Sequence, residues 1–123
     1  VDHFKRINDA HGHAVGDQVL EHAAAVIAAQ ARQADSVGRY GGDEFIIVAP
    51  QSTLAGAAQA AERLRLAMQA EHIHARASNL RVTLSIGVAA STSEDLAVAD
   101  VLARADRALY KAKAKGRNRV EAA

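Results

Sequence analysis

The length and composition of the chain narrow the classes of protein to which it can belong. With 123 residues, it is large enough for one domain with a single core and too small for two. A hydrophobic fraction of 50% with only 3% aromatic residues predicts a globular core built mainly from Ala, Val, Leu and Ile. The absence of cysteine excludes disulfides, thiol catalysis and cysteine-zinc sites.

The charge and hydropathy of the chain restrict its partners further. A formal net charge of +1 disfavours general nucleic-acid binding, which requires the neutralisation of several phosphates. No apolar run reaches the roughly eighteen residues of a membrane span, and no charged start leads into an apolar signal core. We therefore expect a cytoplasmic location without membrane contact by this segment, although other domains of a longer parent protein could anchor it.

The first half of the chain predicts two helices separated by a β-hairpin. Apolar residues recur at the spacing of one helix face over residues 15–32, which predicts the first helix. Two short runs over residues 36–40 and 45–49 flank a Gly-rich turn and predict the hairpin. Thr53 is suited to cap the second helix, which should end near Glu71.

The second half predicts a strand, a helix and a short final strand. Residues 81–89 alternate strictly between apolar side chains and small or polar ones, as in a half-buried strand. Ser93, followed by two acidic residues, predicts the start of a helix that Gly116 ends, and a strand over 118–120 follows. This order predicts an α+β sandwich in which helices pack on a mostly antiparallel sheet.

The turn of the predicted hairpin concentrates candidate functional residues. In the run Gly41-Gly42-Asp43-Glu44-Phe45, two carboxylates stand beside two residues without side chains. Backbone can approach a ligand closely at such a turn, and adjacent carboxylates can hold a hard cation. The alternative interpretation is an ordinary hairpin turn in which Gly supplies positive φ and Asp bonds locally.

Further motifs favour a ligand site, because together they resemble the GGDEF family over essentially the whole chain. The resemblance implies one GGDEF domain over residues 1–123. It also implies an α+β fold similar to nucleotidyl cyclase catalytic domains, with helices flanking an antiparallel-rich central sheet. In addition to the motif at the hairpin turn, four further motifs match the family. They are Asp2-His3-Phe4-Lys5-Arg6-Ile7-Asn8-Asp9, Gly12-His13-Ala14-Val15-Gly16-Asp17, Ser85-Ile86-Gly87-Val88 and Ala105-Asp106-Arg107-Ala108-Leu109-Tyr110-Lys111-Ala112-Lys113, the last continuing into Gly116-Arg117-Asn118.

The activity implied by the resemblance is that of a diguanylate cyclase, which condenses two GTP molecules into cyclic di-GMP and pyrophosphate. Each domain would hold one GTP, and the catalytic unit would be a homodimer. By the resemblance, Asp43 is the catalytic carboxylate and binds Mg²⁺ or Mn²⁺, supported by Glu44 and by the backbone carbonyl of Val1. Gly41 and Gly42 would let the nucleotide phosphates lie against the turn.

The same resemblance assigns residues to base and triphosphate recognition. Asn8 and Asp17 would read guanine, since an Asp accepts from N–H groups that the adenine edge lacks. Lys113 and Arg117 would contact the triphosphate. The alternative interpretations are helix capping by Asn8, a favourable position of Asp17 at a helix N-terminus, and compensation of a helix dipole by the two cations.

A regulatory site and two other functions also follow from the sequence. Arg32-Gln33-Ala34-Asp35 stands where the family carries its inhibitory RxxD site for cyclic di-GMP, and Arg63 occupies a position that supports this site in some members. Arg suits the recognition of guanine edges and phosphates, although an R-x-x-D by chance is common. A module that binds GTP or cyclic di-GMP without turnover, and a structural or nucleic-acid-binding domain using the basic residues 111–119, stay open as alternatives.

The sequence departs from the family pattern at its start. Family members carry an aspartate immediately before the position of Val1, at the end of a central strand. The resemblance therefore implies that this strand, the helix before it and the first metal-binding carboxylate lie outside the sequence. We expect little or no activity from these residues alone, unpaired strand edges, and an upstream sensor or dimerisation domain in the parent protein.

The six histidines are not expected to bind a metal. His72 and His74 lie in a predicted loop without a third ligand nearby. His13 is interpreted as a structural part of the family's Gly-His turn. We expect the other five to be surface residues, namely His3, His11, His22, His72 and His74.

Overall fold

A computed structural model describes residues 1–123 and confirms the α+β class. Its four helices are α1 (Phe4–His11), α2 (His13–Gln30), α3 (Leu54–Ala70) and α4 (Val98–Ala114). Its six strands are β1 (Ser36–Gly41), β2 (Glu44–Val48), β3 (Ile73–Ala75), β4 (Ser78–Leu80), β5 (Ser85–Val88) and β6 (Arg119–Ala122). None of the helices is long and apolar enough to cross a membrane.

The strands pair two by two. β1 pairs with β2 and β3 with β4 in the antiparallel sense, whereas β5 and β6 are parallel. Backbone hydrogen bonds at the start of the chain link two of these pairs. The Val1 amino group donates to the Asp43 carbonyl oxygen at 3.1 Å, and the Asp2 N–H donates to the Thr83 carbonyl oxygen at 3.0 Å. The first two residues therefore lie between the β1–β2 hairpin and the segment that leads into β5.

Aliphatic side chains form the core, as the composition predicts. α2 and α3 bring their apolar faces together over the segment that runs from β3 to β5, and Met68 and Ile73 are the largest fully buried side chains. Complete burial of a side chain of this size stabilises the fold by roughly 1.5–3 kcal/mol. The central cluster consists of Val15, Val19, Ala23, Val26, Ile27, Leu64, Met68, Ile73, Ala75, Val82 and Leu84.

The chain begins with a helix that apolar periodicity does not predict. α1 has eight residues and none of them is fully buried, so it lacks the apolar stripe that reveals a longer helix. Gly12 follows with φ of 88°, and its N–H donates to the Asn8 carbonyl oxygen at 2.8 Å. α2 then starts at His13, slightly before the predicted residue 15.

The predicted start of the last helix at Ser93 is wrong, since α4 begins at Val98. The Asp95 carboxylate accepts the Thr92 N–H at 2.7 Å and pairs with the Arg104 guanidinium at 2.6 Å. Asp competes well for local backbone donors in this way, which favours a turn over a helix. The acidic residues therefore mark a turn that precedes α4.

The region between α3 and α4 also differs from the prediction. β3 and β4 form a short hairpin that contains His74, so the predicted loop is wrong at that residue. Strands of three residues are too short for an alternating pattern to reveal. Only Ser85–Val88 of the predicted strand 81–89 is paired, but Val82 and Leu84 are buried, as the alternation predicts.

Gly87 lets α4 lie directly on β5. A Cβ at this residue would fall 2.2 Å from the Ala105 carbonyl oxygen and 2.4 Å from the Leu109 nitrogen. Both contacts are with helix backbone, so a side chain here would force the helix away from the strand. This close packing fixes the end of α4 beside the start of the chain, where Lys113 and Val1 line one cavity.

Candidate nucleotide site

An open cavity of about 460 Å³ lies where the start of the chain, α1, the β1–β2 turn and the end of α4 meet. Its volume is within the range that small-molecule ligands occupy in proteins. Ten residues line it, of which two are hydrophobic. They are Val1, Asp2, His3, Phe4, Lys5, Arg6, Asp9, Asp43, Lys113 and Arg117.

Four of the residues that the resemblance assigns to metal and triphosphate binding meet in this cavity, namely Val1, Asp43, Lys113 and Arg117. Carboxylate and cationic side chains together suit a ligand that carries phosphates and a divalent cation. The cavity thus brings anionic and cationic groups within reach of one ligand.

Arg117 reaches the cavity because the chain reverses after α4. Gly116, Arg117 and Asn118 all have positive φ, at 116°, 64° and 45°. The Arg117 N–H donates to the Ala112 carbonyl oxygen at 3.0 Å, which closes the helix end. Lys113 lies in the last turn of α4, so its interpretation as a dipole partner is compatible with its position in the cavity.

Asn8 and Asp17 do not line the cavity; Asn8 lies in α1 and Asp17 in α2. Asn8 is inside α1 and its side chain caps no helix, so the capping interpretation is wrong. Asp17 lies beyond the first turn of α2, so a helix N-terminus does not explain it either. The Asn8 Oδ1 atom is buried without a hydrogen-bond partner, and a Cβ at Gly16 would fall only 1.8 Å from it.

A buried oxygen without a partner costs free energy that a ligand donor could recover. The ring of Phe4, which lines the cavity, lies 3.3 Å from the position that a Cβ at Gly16 would take. The ring of Phe4 and the side chain of Asn8 therefore both lie close to Gly16.

The remaining residues of the hairpin turn are arranged around Asp43 without lining the cavity. Glu44 begins β2 and is half-buried, paired with Gly41 across the turn. Gly42 has φ of 45°, and a Cβ at Gly41 or Gly42 would meet no atom within 4 Å. The space around both glycines is thus open, and a ligand can approach the backbone there.

Arg32 and Asp35 are bound to each other on the surface. The Arg32 Nε and one terminal nitrogen donate to Asp35 Oδ1 at 3.1 and 2.9 Å, and the same terminal nitrogen also donates to Ser52 Oγ at 2.9 Å. These hydrogen bonds from Arg32, from its side chain first and then from its backbone, lower the pKa of Asp35. Arg63 is exposed on α3.

Asp2 is a cavity residue to which the sequence patterns gave no role. Its side chain is 4% exposed, and it accepts hydrogen bonds from the hydroxyls of Thr83 at 2.7 Å and Ser85 at 2.6 Å. The alternating pattern of residues 81–89 contained a signal for this role, because Thr83 and Ser85 place two hydroxyls on the face opposite the apolar side chains. The cavity residues Lys5, Arg6 and Asp9 of α1 were also not singled out.

The residues present fit a hard divalent cation. The carboxylates of Asp43 and Glu44 and the carbonyl of Val1 offer oxygen atoms, which Mg²⁺ and Mn²⁺ prefer. The chain has no cluster of three or more His, Cys, Asp or Glu side chains that could hold a metal alone. Mg²⁺ commonly binds through one or two carboxylates together with substrate phosphates, so this smaller donor set is sufficient. Fold and cavity thus define a domain suited to a nucleotide with its cation.

Comparison with known proteins identifies the family. The family described as "Diguanylate cyclase, GGDEF domain" matches residues 1–119. Diguanylate cyclase DgcP of Pseudomonas aeruginosa is 44% identical over 123 residues, which are 100% of this chain and 18% of that protein. Diguanylate cyclase A of Treponema denticola is 42% identical over 120 residues, which are 98% of this chain and 32% of that protein.

A solved structure agrees with this relationship. The crystal structure of the coiled coil and GGDEF domain of DgcB from Caulobacter crescentus, in complex with c-di-GMP, has a TM-score of 0.92 at 37% identity. The match covers 99% of this chain and 65% of that one. The chain therefore belongs to the GGDEF family of diguanylate cyclase domains. It spans 18% and 32% of the lengths of the two related enzymes above.

Proposed function

We propose that this GGDEF domain is the catalytic domain of a diguanylate cyclase that condenses two GTP molecules into cyclic di-GMP and pyrophosphate. The observation that carries the proposal is the shared cavity, in which Asp43, Lys113, Arg117 and Val1 come together from three distant parts of the chain. The relatives named diguanylate cyclase support the same reaction.

The roles within the cavity follow from charge and position. Lys113 and Arg117 bind the triphosphate as cationic donors, and Gly41 and Gly42 leave room for phosphate oxygens at the turn. Asp43, Glu44 and the Val1 carbonyl would hold Mg²⁺ or Mn²⁺. When bound, the cation supplies neutralisation of charge on the phosphate oxygens.

Base recognition rests on Asn8 and Asp17. The Asp17 carboxylate accepts from the N–H groups of the guanine edge, and the buried Oδ1 of Asn8 gains a donor from the base. Adenine has an acceptor at N1 and no amino group at C2, so it offers no donor at the positions where guanine has them. A site that loses paired hydrogen bonds in this way discriminates strongly between bases.

The reaction requires two domains, each holding one GTP. The 3′-hydroxyl of one GTP attacks the α-phosphorus of the other, so that a new P–O bond forms and the bond to the β-phosphate breaks. The hydroxyl proton is released and pyrophosphate leaves. Repetition with the roles exchanged closes the ring, and a homodimer of this domain is therefore the catalytic unit.

Product inhibition is proposed at Arg32, Asp35 and Arg63. Arg32 and Asp35 already hold each other in place on the surface, which preorganises a guanidinium and a carboxylate for a guanine ligand. A sensor or dimerisation domain upstream in the parent protein would bring two such domains together.

Chromatography of the products from GTP and Mg²⁺ tests this function. The full-length protein should form cyclic di-GMP, and the Asp43→Ala variant should form none. If the full-length protein binds GTP or cyclic di-GMP without forming product, the proposed cyclase activity is refuted. The alternative, a non-catalytic sensing module, is then favoured.

A further inference from the structure

Asp2 is the only buried charged side chain of the domain, and it has no cationic partner. Its carboxylate accepts three hydrogen bonds instead. Thr83 Oγ1 and the Asn118 N–H donate to Oδ2 at 2.7 and 3.0 Å, and Ser85 Oγ donates to Oδ1 at 2.6 Å. Three donors offset the cost of burying the charge, so the carboxylate is held tightly between β5 and the start of β6.

The bond to Asn118 controls the direction of Arg117. Arg117 and Asn118 both have positive φ, a backbone conformation that residues other than glycine adopt only when other contacts stabilise it. Several hydrogen bonds hold this conformation, including the one from the Arg117 N–H to the Ala112 carbonyl oxygen at 3.0 Å. Asp2 binds the backbone N–H of Asn118, and the Arg65 guanidinium donates to the Asn118 side-chain oxygen at 2.9 Å. The reversal that brings Arg117 into the cavity therefore depends on Asp2.

The backbone of Asp2 controls the direction of the Val1 carbonyl. The Asp2 N–H donates to the Thr83 carbonyl oxygen at 3.0 Å. The peptide bond is planar and trans, so the N–H and the preceding C=O point in opposite directions. The Val1 carbonyl is consequently directed away from Thr83. The side-chain bond between Thr83 and Asp2 reinforces this orientation.

We propose that Asp2 is a positioning residue that fixes the Val1 carbonyl and the Arg117 side chain relative to each other. This inference rests on the proposed function, because it links the oxygen that would bind the cation to a side chain that would bind the triphosphate. Asp2 acts through hydrogen bonds and not as a ligand of the cation. The proposal therefore predicts that the shape of this side chain matters more than its charge.

Asp2→Asn and Asp2→Ala in the full-length protein separate shape from charge. The amide oxygen of Asn can accept from Thr83 and Asn118, while its NH₂ group can donate to Ser85, whose hydroxyl is free to rotate. We expect Asp2→Asn to retain kcat/KM for GTP within about 5-fold, whereas Asp2→Ala should lose about 100-fold, as misplacement by about 1 Å does. Glu21→Gln, the same chemical change at an exposed residue of α2, is the control.

Hydrogen exchange resolved to the Asn118 amide provides a readout that needs no nucleotide. Exchange of the Asn118 amide should become about 10-fold faster in Asp2→Ala and stay slow in Asp2→Asn. Loss of the hydrogen bond from this amide to the Asp2 carboxylate should change the exchange rate by about that factor. This measurement tests the inference even if the protein makes no cyclic di-GMP. Absence of turnover in the unmodified protein would refute the proposed function alone.

Two results would overturn the positioning role. One is an Asp2→Ala variant that retains both slow Asn118 exchange and normal kcat/KM. The other is an Asp2→Asn variant that keeps slow exchange but is as inactive as Asp2→Ala, which would indicate a direct contact of the charge with the cation. If Asp2→Ala does not fold, Ser85→Ala removes one donor while Asp2 remains. It should then show a smaller loss of kcat/KM, and no loss would contradict the inference.

Discussion

Substitution of Gly16 by Ala separates recognition of the base from stability of the fold. A Cβ at this position would fall 1.8 Å from Asn8 Oδ1, 2.9 Å from Asn8 Cγ and 3.3 Å from the ring of Phe4. The first two distances are shorter than any non-bonded contact allows. Asn8 Oδ1 must therefore move by roughly 1 Å or more, until it lies more than about 3 Å from the new Cβ.

The expected magnitudes have opposite signs for folding and for binding. Ala is favoured over Gly inside a helix by about 1 kcal/mol, and Asn8 can move because it is a side chain and not backbone. The melting temperature should thus stay unchanged or rise slightly. Loss of the bonds from Asn8 to guanine should cost about 1–3 kcal/mol, which corresponds to roughly a 10- to 100-fold increase in the dissociation constant of GTP.

Calorimetric titration of the full-length protein with GTP and ATP measures this effect. Gly16→Ala should weaken GTP binding and leave the weaker ATP binding unchanged. In a protein that already carries Asn8→Ala, the same substitution should not weaken GTP binding further, because the side chain that it displaces is absent. Gly56→Ala, whose Cβ meets only Thr53 Oγ1 at 3.1 Å, is the matched helix control. Unchanged GTP affinity in a folded Gly16→Ala protein would refute the assignment of Asn8.

Three other predictions concern the fold, the proposed inhibitory site and the proposed phosphate site. Gly87→Ala should lower the melting temperature by roughly 10 °C in calorimetry, since overpacking against helix backbone costs about 3 kcal/mol; an unchanged melting temperature would contradict the close packing. Asp35 should titrate by NMR below the ordinary value of about 3.9. Its bond to Arg32 therefore stabilises the fold above that pH and is lost as the pH falls through the lower folded-state pKa. Arg32→Gln should return the pKa toward the ordinary value, and no shift would refute the pairing. Lys113→Ala should weaken GTP binding about 10- to 100-fold, whereas the exposed Lys111→Ala should stay within about 2-fold; equal effects would refute the phosphate assignment.

Local chemistry explains which elements could be predicted from the sequence. Thr53 caps α3 as expected, because its Oγ1 accepts the Gly56 N–H at 3.0 Å, a bond made within one turn. The hairpin turn was equally visible in its glycines. The start of α4 was not, because Asp95 satisfies local donors and pairs with Arg104, nine residues further along the chain.

The candidate site was predictable only where motifs carried it. Family motifs pointed to Asp43, Lys113 and Arg117, and the fold brings them to one cavity. The role of Asp2 was not predicted, because the three groups that donate to its carboxylate lie 81, 83 and 116 residues away in the sequence. Such long-range partners leave no mark in local spacing, so that only the folded chain reveals them.

The ratio of products is the most direct measurement of the central claim, that two of these domains condense two GTP molecules. Pyrophosphate and cyclic di-GMP should be quantified in the same reaction of the full-length protein with GTP and Mg²⁺. The account predicts about two pyrophosphates for each cyclic di-GMP, a rate per protomer that rises with protein concentration until the dimer is saturated, and no product from Asp43→Ala. Pyrophosphate release without cyclic di-GMP, or turnover that survives Asp43→Ala, would contradict it.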